Sequence, residues 1–194
     1  RELEASQYGV IHFTTHGTNK GVLIETFETN NDMIDRWNFL LKNYYGNDGT
    51  KMAQELFQDI DEVDKKPAIG ITGDFIRHHL TYQNSNPIVY FESCLMGSNE
   101  DMRKAFIYKG AGCYIGFDQE VLICLKLRVF CMLQGRREAE EVSQEFYDSI
   151  FNNKNARMAV ELRAPADRLN ENEEVVRDSR LIYFGNDFLY FKLP

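Results

Sequence analysis

The sequence predicts a single α/β domain built on a mainly parallel β-sheet. An apolar run after Pro87, a helix-like segment from Ser98 and a second apolar run from Cys113 form a strand–helix–strand unit, which is typical of parallel sheets. Two predicted strands stop abruptly, one just before His16 and the other just before Cys94. The chain has 194 residues, 43% of them hydrophobic and 27% charged, which is the size and composition of one globular domain.

The first half of the chain is predicted to begin with two short strands, Tyr8 to Thr14 and Gly21 to Ile24. The segment from Glu25 to Lys66 turns polar and carries apolar residues at helical spacing, which predicts two amphipathic helices. The apolar positions are Met33, Ile34, Trp37, Leu40, Leu41 and Tyr44, then Met52, Leu56, Phe57 and Ile60. We interpret this segment as a helical insertion. A short helix from Thr72 through Leu80 follows it.

The second half alternates strands and helices. The strand after Pro87 ends at Glu92, Ser93 and Cys94, and a helix capped by Ser98 runs to Tyr108. The remaining predictions are a strand over Cys113 to Phe117, a helix over Arg137 to Phe151, a long polar excursion over Asn152 to Arg180, and closing strands over Leu181 to Phe184 and Phe188 to Leu193. Val121 to Leu133 fits a buried helix or a strand, and its length favours the helix.

Charge and hydropathy exclude several classes of partner. The net charge of −8 disfavours binding to nucleic acid and to anionic membranes, because an acidic surface repels phosphate groups. The longest apolar run, Val121 to Leu133, contains Lys126 and Arg128 and is too short to span a bilayer. The chain begins at Arg1 without an initiator methionine, so we expect a fragment or a processed form.

The four cysteines, Cys94, Cys113, Cys124 and Cys131, show neither metal-ligand spacing nor the density of a disulfide scaffold. Three of them lie in apolar runs, as reduced core thiols do, which favours a cytoplasmic location.

His16 and Cys94 are the candidate catalytic residues. Sites in open α/β sheets form at the carboxyl ends of strands, and both residues follow such ends. A thiol before a helix N-terminus is open to attack from outside, and an imidazole can carry the proton that acyl transfer requires. Burial of both residues as ordinary core side chains is the alternative. The nearby Glu92, Glu100 and Asp101 oppose a thiolate, so a neutral resting thiol is expected.

Metal binding has weaker support. His12 and His16 are four residues apart on one strand, too far for a shared metal, so His12 is expected in the core or behind the site. Asp59, Asp61 and Asp64 miss the pattern of a helix–loop–helix calcium site and fit a charged helix end. The adjacent residues His78 and His79 point in different directions on a helix, which favours a solvated or capping role.

The chain resembles the caspase-fold cysteine peptidases. The motifs are His16-Gly17 after a strand and, later, PIVYFESCLMG from Pro87, which is most similar to the clostripain family. The segments GITGDFIRHHL, GAGCYIGF, FCMLQGRREAEEV and LIYFGNDFLYF resemble the gingipain and CHAT-domain relatives, so the resemblance covers most of the chain. It implies a three-layer α/β/α sandwich, with the helical insertion between the His and Cys strands and with further strands upstream of Tyr8.

The resemblance also implies the chemistry. Cys94 would be the nucleophile, His16 the general base and acid, and the backbone N–H groups of Gly17 and Cys94 the oxyanion hole. Glu92 matches the clostripain aspartate of the pocket for the residue before the cut, and it shares a strand face with Cys94. Asp118 and Glu120 would add a second acid to that pocket. They are equally consistent with solvated loop charges.

The expected function is therefore a cysteine endopeptidase that cuts protein or peptide substrates after arginine or lysine. It needs no cofactor, although calcium occurs among the relatives. Glu92 is one methylene longer than the family's aspartate, Ser93 replaces alanine, and Asn186-Asp187 stands where relatives usually show Asp-Pro. None of these departures removes a catalytic group.

The sequence leaves one alternative to the peptidase and excludes three other classes of protein. An inactive caspase-fold interaction or regulatory module is the alternative, and the insertion over 25–66 is a possible docking site for a regulatory partner. A cysteine phosphatase is excluded because Glu100 occupies the position of the required arginine. The sequence also lacks the glycine spacing of dinucleotide-binding proteins and the G-x-S-x-G motif of serine hydrolases.

Overall fold

The fold is known from a computed structural model. It describes residues 9–18, 21–26, 31–32, 35–36, 39, 59–63, 66–80, 86–122, 137–152, 154–172 and 174–186. In chain order the elements are β1 (Val10–Thr14), β2 (Val22–Thr26), β3 (Asp59–Val63), β4 (Lys66–Ile71), α1 (Gly73–His79), β5 (Ile88–Glu92), α2 (Glu100–Tyr108), β6 (Cys113–Phe117), α3 (Ala139–Phe151), α4 (Ala156–Glu161), β7 (Ala166–Leu169), β8 (Val175–Ser179) and β9 (Leu181–Gly185).

The main sheet has the strand order β1-β5-β6-β9. Strands β1, β5 and β6 are parallel, and β9 is antiparallel to β6. Every residue of β5 and of β6 is buried, as expected for a parallel sheet whose strands are covered on both faces. The predicted α/β class with a mainly parallel sheet is confirmed.

Helices cover both faces of this sheet. On one face, Val89 and Phe91 of β5 belong to the core that includes residues of α1 and α2. On the other face, Ile88 and Tyr90 belong to the core that includes residues of α3 and α4. The alternation of side chains along β5 therefore divides the core into two parts. Within the described residues, no helix is long and apolar enough to cross a membrane.

The cap of α2 lies one residue later than predicted. Asn99, not Ser98, is the N-cap, and its side-chain oxygen accepts a hydrogen bond from the Met102 N–H at 3.0 Å. The Ser98 hydroxyl instead donates to the carbonyl of Asp118 at 2.8 Å, because the turn before the helix packs on the end of β6.

The insertion predicted as helical over Glu25 to Lys66 begins and ends in strands. Glu25 lies in β2, Lys66 begins β4, and Ile60, which we assigned to a helix, lies in β3. These strands form a separate antiparallel sheet in the order β2-β4-β3. Pairing with β4 decides the structure here, whereas local spacing favoured a helix. Five described residues of the first predicted helix are helical: Asn31, Asp32, Asp35, Arg36 and Phe39. The rest of the insertion lies outside the described residues.

The segment predicted as a long polar excursion over the surface, Asn152 to Arg180, contains buried residues and regular secondary structure in its described part, so that prediction is wrong. It contains α4, whose Ala156, Ala159 and Val160 are buried, and the antiparallel pair β7 and β8. An ion pair between Arg177 and Asp167, at 2.6 Å, joins these two strands. The predicted helix over Val121 to Leu133 and strand over Phe188 to Leu193 lie outside the described residues, except for Val121 and Leu122.

Candidate functional site

His16 and Cys94 follow two neighbouring parallel strands. In the β1–β5 pair, Thr14 lies opposite Glu92. Both strands end at this pair, and His16 and Cys94 each lie two residues beyond it, in the turns that follow β1 and β5. The topology therefore brings both candidate residues to the same edge of the sheet, at the carboxyl ends of β1 and β5.

Gly17 packs directly against the turn that carries Cys94. A Cβ atom at residue 17 would lie 2.1 Å from the Cys94 carbonyl oxygen and 3.1 Å from side-chain atoms of Ser93 and Met96. No side chain larger than a hydrogen atom fits without displacing this backbone. Gly17 also forms an isolated antiparallel bridge with Val22. The two turns that follow β1 and β5 are therefore in backbone contact.

The turn after Cys94 is fixed to the end of β6. The Leu95 N–H donates to the Gln119 carbonyl at 3.0 Å, and the Gly97 N–H donates to the Phe117 carbonyl at 2.6 Å. Leu95 has a φ of 60°, a left-handed conformation that is uncommon for residues other than glycine. This sharp reversal follows directly after Cys94 and begins the turn that leads to α2.

Asn99 connects the two turns. While its oxygen caps α2, its side-chain N–H donates to the carbonyl of Thr18 at 3.3 Å. The helix that follows the cysteine is thereby joined to the loop that carries His16 and Gly17. Sequence reasoning missed this residue because it assigned the cap to Ser98.

The Cys94 thiol is half-buried and contacts the backbone of Val121. The Val121 N–H donates to Sγ at 3.4 Å, and the S–H donates to the Val121 carbonyl at 3.8 Å. Burial is the main cause that raises the pKa of the thiol above its ordinary value, and the charge of Glu120 raises it further, whereas the Val121 hydrogen bonds lower it. A thiol with a raised pKa is neutral at pH 7, as the sequence analysis expects.

His16 is exposed at the end of the β1 loop. Among the described residues, no hydrogen bond joins its ring to Cys94. An exposed imidazole that makes no hydrogen bond to the neutral thiol can act as its base only when substrate brings the two groups together. Long hydrogen bonds in an unliganded site are common for such pairs.

Glu92 lies below Cys94 on the α3 side of the sheet, where it is 6% exposed. Its Oε2 is 3.5 Å from Nε2 of His12, which lies beside it on β1. Burial, and then the negative charge of Glu92, raise the pKa of the Tyr147 phenol. The same two causes contribute to the raised pKa of Tyr90. Glu92, His12 and the two tyrosines therefore form a cluster of polar and aromatic groups, which we name the Glu92 pocket.

Asp118 and Glu120 do not have equivalent positions. The Asp118 carboxylate accepts the backbone N–H of Arg180 at 2.7 Å, so it holds the connection between β6 and β9. Glu120 is exposed and close enough to Cys94 to affect its pKa. Their predicted contact with substrate stays a prediction, and of the two only the charge of Glu120 is among the causes that shift the pKa of Cys94.

Metal binding gains no support from the described part of the chain, where no group of three or more His, Cys, Asp or Glu side chains can hold an ion. Asp59 and Asp61 lie in strand β3 and not at the predicted helix end, and Asp64 lies outside the described residues. His78 has its Nδ1 at 2.8 Å from the Asp74 carbonyl within α1, in agreement with a local structural role.

Comparison of the chain with protein-family models, curated proteins and solved structures found no match.

Proposed function

We propose that the protein is a cysteine endopeptidase of the caspase-like type, which cuts after lysine or arginine through His16 and Cys94. The observation that carries this proposal is the β1–β5 register together with the contact of Gly17 on the Cys94 carbonyl. These features join a histidine turn and a cysteine turn at one sheet edge. The antiparallel β9 after three parallel strands agrees with the resemblance in the closing segment.

The chemistry begins with transfer of the Cys94 proton to His16. The sulfur then attacks the scissile carbonyl carbon, and the N–H groups of Gly17 and Cys94 stabilise the negative charge on its oxygen. When the C–N bond breaks, His16 donates the proton to the leaving amine and a thioester remains. A water molecule, deprotonated by His16, hydrolyses the thioester and restores the thiol.

The Glu92 pocket supports the choice of a basic residue before the cut. Glu92 precedes Cys94 by two residues, so both side chains lie on one face of the sheet. A buried carboxylate attracts a positively charged side chain more strongly than an exposed one does, because water screens it less. Tyr147, whose ring packs beside the buried Tyr90, adds an aromatic surface that favours a cation or its aliphatic stem.

One observation favours a second candidate function, an inactive interaction module. The thiol makes its hydrogen bonds with Val121 and none with His16. A thiol held in this way permanently would not reach a substrate carbonyl. In the peptidase, the bonds to Val121 break when the sulfur attacks.

Covalent labelling separates the two candidates. A peptidyl acyloxymethyl ketone ending in lysine alkylates the nucleophile of a cysteine peptidase, and peptide mapping locates the modified residue. We expect modification of Cys94 in wild type and much slower modification of Cys94 in His16→Ala. Cys113 should not be modified, because it is buried and burial raises its pKa to about 12. Absence of labelling, or equal labelling by a probe ending in aspartate, contradicts the proposal.

A further inference from the structure

The Glu92 pocket contains a histidine that the proposed mechanism does not use. Two groups near the buried carboxylate are His12, whose Nε2 lies 3.5 Å from Oε2, and Tyr147, whose pKa is raised by the charge of Glu92. The His12 side chain is 32% exposed and that of Glu92 is 7% exposed. His12 is therefore the solvent-accessible member of the pair.

The His12 ring is held in position by its surroundings. It makes an edge-on contact with Tyr90, with ring centres 5.0 Å apart, and a tilted contact with Tyr147 at 5.6 Å. Its Nε2 also lies 3.4 Å from the hydroxyl of Thr14. A ring fixed on several sides keeps its nitrogen directed at the same carboxylate oxygen.

The position of His12 beside Oε2 changes what Glu92 can offer a ligand. A guanidinium binds a carboxylate best through two parallel hydrogen bonds, one to each oxygen. An ammonium is a compact charge that needs one oxygen and can use its other N–H groups elsewhere. With one oxygen facing His12, the carboxylate favours the second kind of ligand.

Tyr147 supplies another acceptor for an ammonium. Its hydroxyl is buried and has no hydrogen-bond partner among the described residues. Buried hydroxyls are usually paired, so this one is an acceptor available to a ligand, and it belongs to a ring that contacts His12 as Glu92 does. An ammonium can donate to the free oxygen of Glu92 and to this hydroxyl together.

We propose that His12 is a specificity-determining residue, which holds one oxygen of Glu92 and thereby makes the pocket select lysine over arginine before the cut. This inference rests on the proposed function, since it concerns the substrate of the same site. It narrows the expected residue before the cut from lysine or arginine to lysine alone.

The test compares two fluorogenic peptides that differ only in lysine or arginine before the cut. We expect wild-type kcat/KM to favour the lysine peptide. His12→Ala frees both oxygens and should shift the ratio of the two kcat/KM values toward arginine by roughly tenfold, the size of one charge-assisted hydrogen bond. His12→Gln, whose amide can donate to the same oxygen, should keep most of the lysine preference. The ratio is unaffected by loss of folded enzyme, because both substrates meet the same sample.

Val10→Ala is the matched control, since Val10 lies on the same face of β1 as His12 but pairs with Ile88 at the other end of the strand. It should leave the ratio unchanged. A wild-type enzyme that prefers arginine, or a His12→Ala variant with the wild-type ratio, overturns the inference while the peptidase assignment stands. Cleavage of neither peptide by wild type overturns the proposed function, and the inference with it.

Discussion

Gly17 lies so close to Cys94 that a Cβ atom at residue 17 would be 2.1 Å from the Cys94 carbonyl oxygen. The contact joins the turn after β1 to the turn after β5. Its importance follows from the proposed oxyanion hole, in which the N–H groups of these same two residues converge on one oxygen.

Gly17→Ala should reduce kcat on a basic peptide by on the order of 100-fold, because separating the two turns displaces an oxyanion donor. Thermal unfolding measures the accompanying loss of stability. Gly185→Ala is the matched control, because its Cβ would lie 2.4 Å from the Gly112 carbonyl oxygen, at the opposite edge of the sheet from Cys94. When the two variants lose similar amounts of stability, Gly17→Ala should still have a much lower kcat than the control variant. Equal activity in the two variants would contradict the assigned role of Gly17.

Asn99 has two functions that a single substitution can separate. Asn99→Asp keeps an oxygen that caps α2 but loses the N–H that donates to Thr18. We expect stability close to wild type and reduced turnover, since the His16 loop loses its link to α2. Asn99→Ala loses both bonds and should also cost about 1 kcal/mol of unfolding free energy. Urea denaturation and kcat on the same samples check this. An Asn99→Asp variant with full turnover would show that the link is dispensable.

Glu92→Gln should lower kcat/KM for a lysine-ended peptide by roughly 10- to 100-fold, the value of a charge-assisted hydrogen bond in a buried site. A norleucine-ended peptide should be little affected, because it carries no charge to pair. Glu171→Gln serves as the control, since Glu171 is an exposed carboxylate in the turn between β7 and β8, where water screens its charge. The assignment fails if Glu92→Gln and wild type discriminate equally between lysine and norleucine.

Alkylation of Cys94 by iodoacetamide should depend on pH with a midpoint above that of an ordinary cysteine. Burial raises the pKa of the thiol, so the reactive thiolate forms only at higher pH than in the unfolded chain. Peptide mapping of native and urea-unfolded samples gives both midpoints, and the native one should be higher. Glu120→Gln should lower the native midpoint, because it removes a negative charge that opposes ionisation. A native midpoint near neutral pH would instead indicate a resting ion pair with His16.

Much of the main sheet is predictable because its strands are buried apolar runs. β5 and β6 begin and end within a residue of their predicted limits, since every residue in both is buried and polar turns flank them. The edge position of His16 and Cys94 follows from the same patterns. The register that sets Thr14 beside Glu92 does not, because long-range pairing leaves no trace in local sequence.

The pairing of β7 with β8 escapes sequence reasoning for a related cause. Ion pairs join these strands, between Arg168 and Asp178 and between Arg177 and Asp167, each at 2.6 Å. Charged residues spaced in this way look like a solvated loop when the partner strand is unknown. The place of His12 in the site could not be predicted either, because only the fold shows that its ring lies next to Glu92.

Turnover of a lysine-ended fluorogenic peptide by wild type, Cys94→Ala and Cys113→Ala tests the central claim most directly. We expect wild type and Cys113→Ala to cleave on the carboxyl side of lysine, and Cys94→Ala to show no turnover above the uncatalysed rate while unfolding at a temperature close to that of wild type. Wild type with no turnover, or Cys94→Ala with unchanged turnover, would contradict the assignment of Cys94 as the nucleophile of a peptidase.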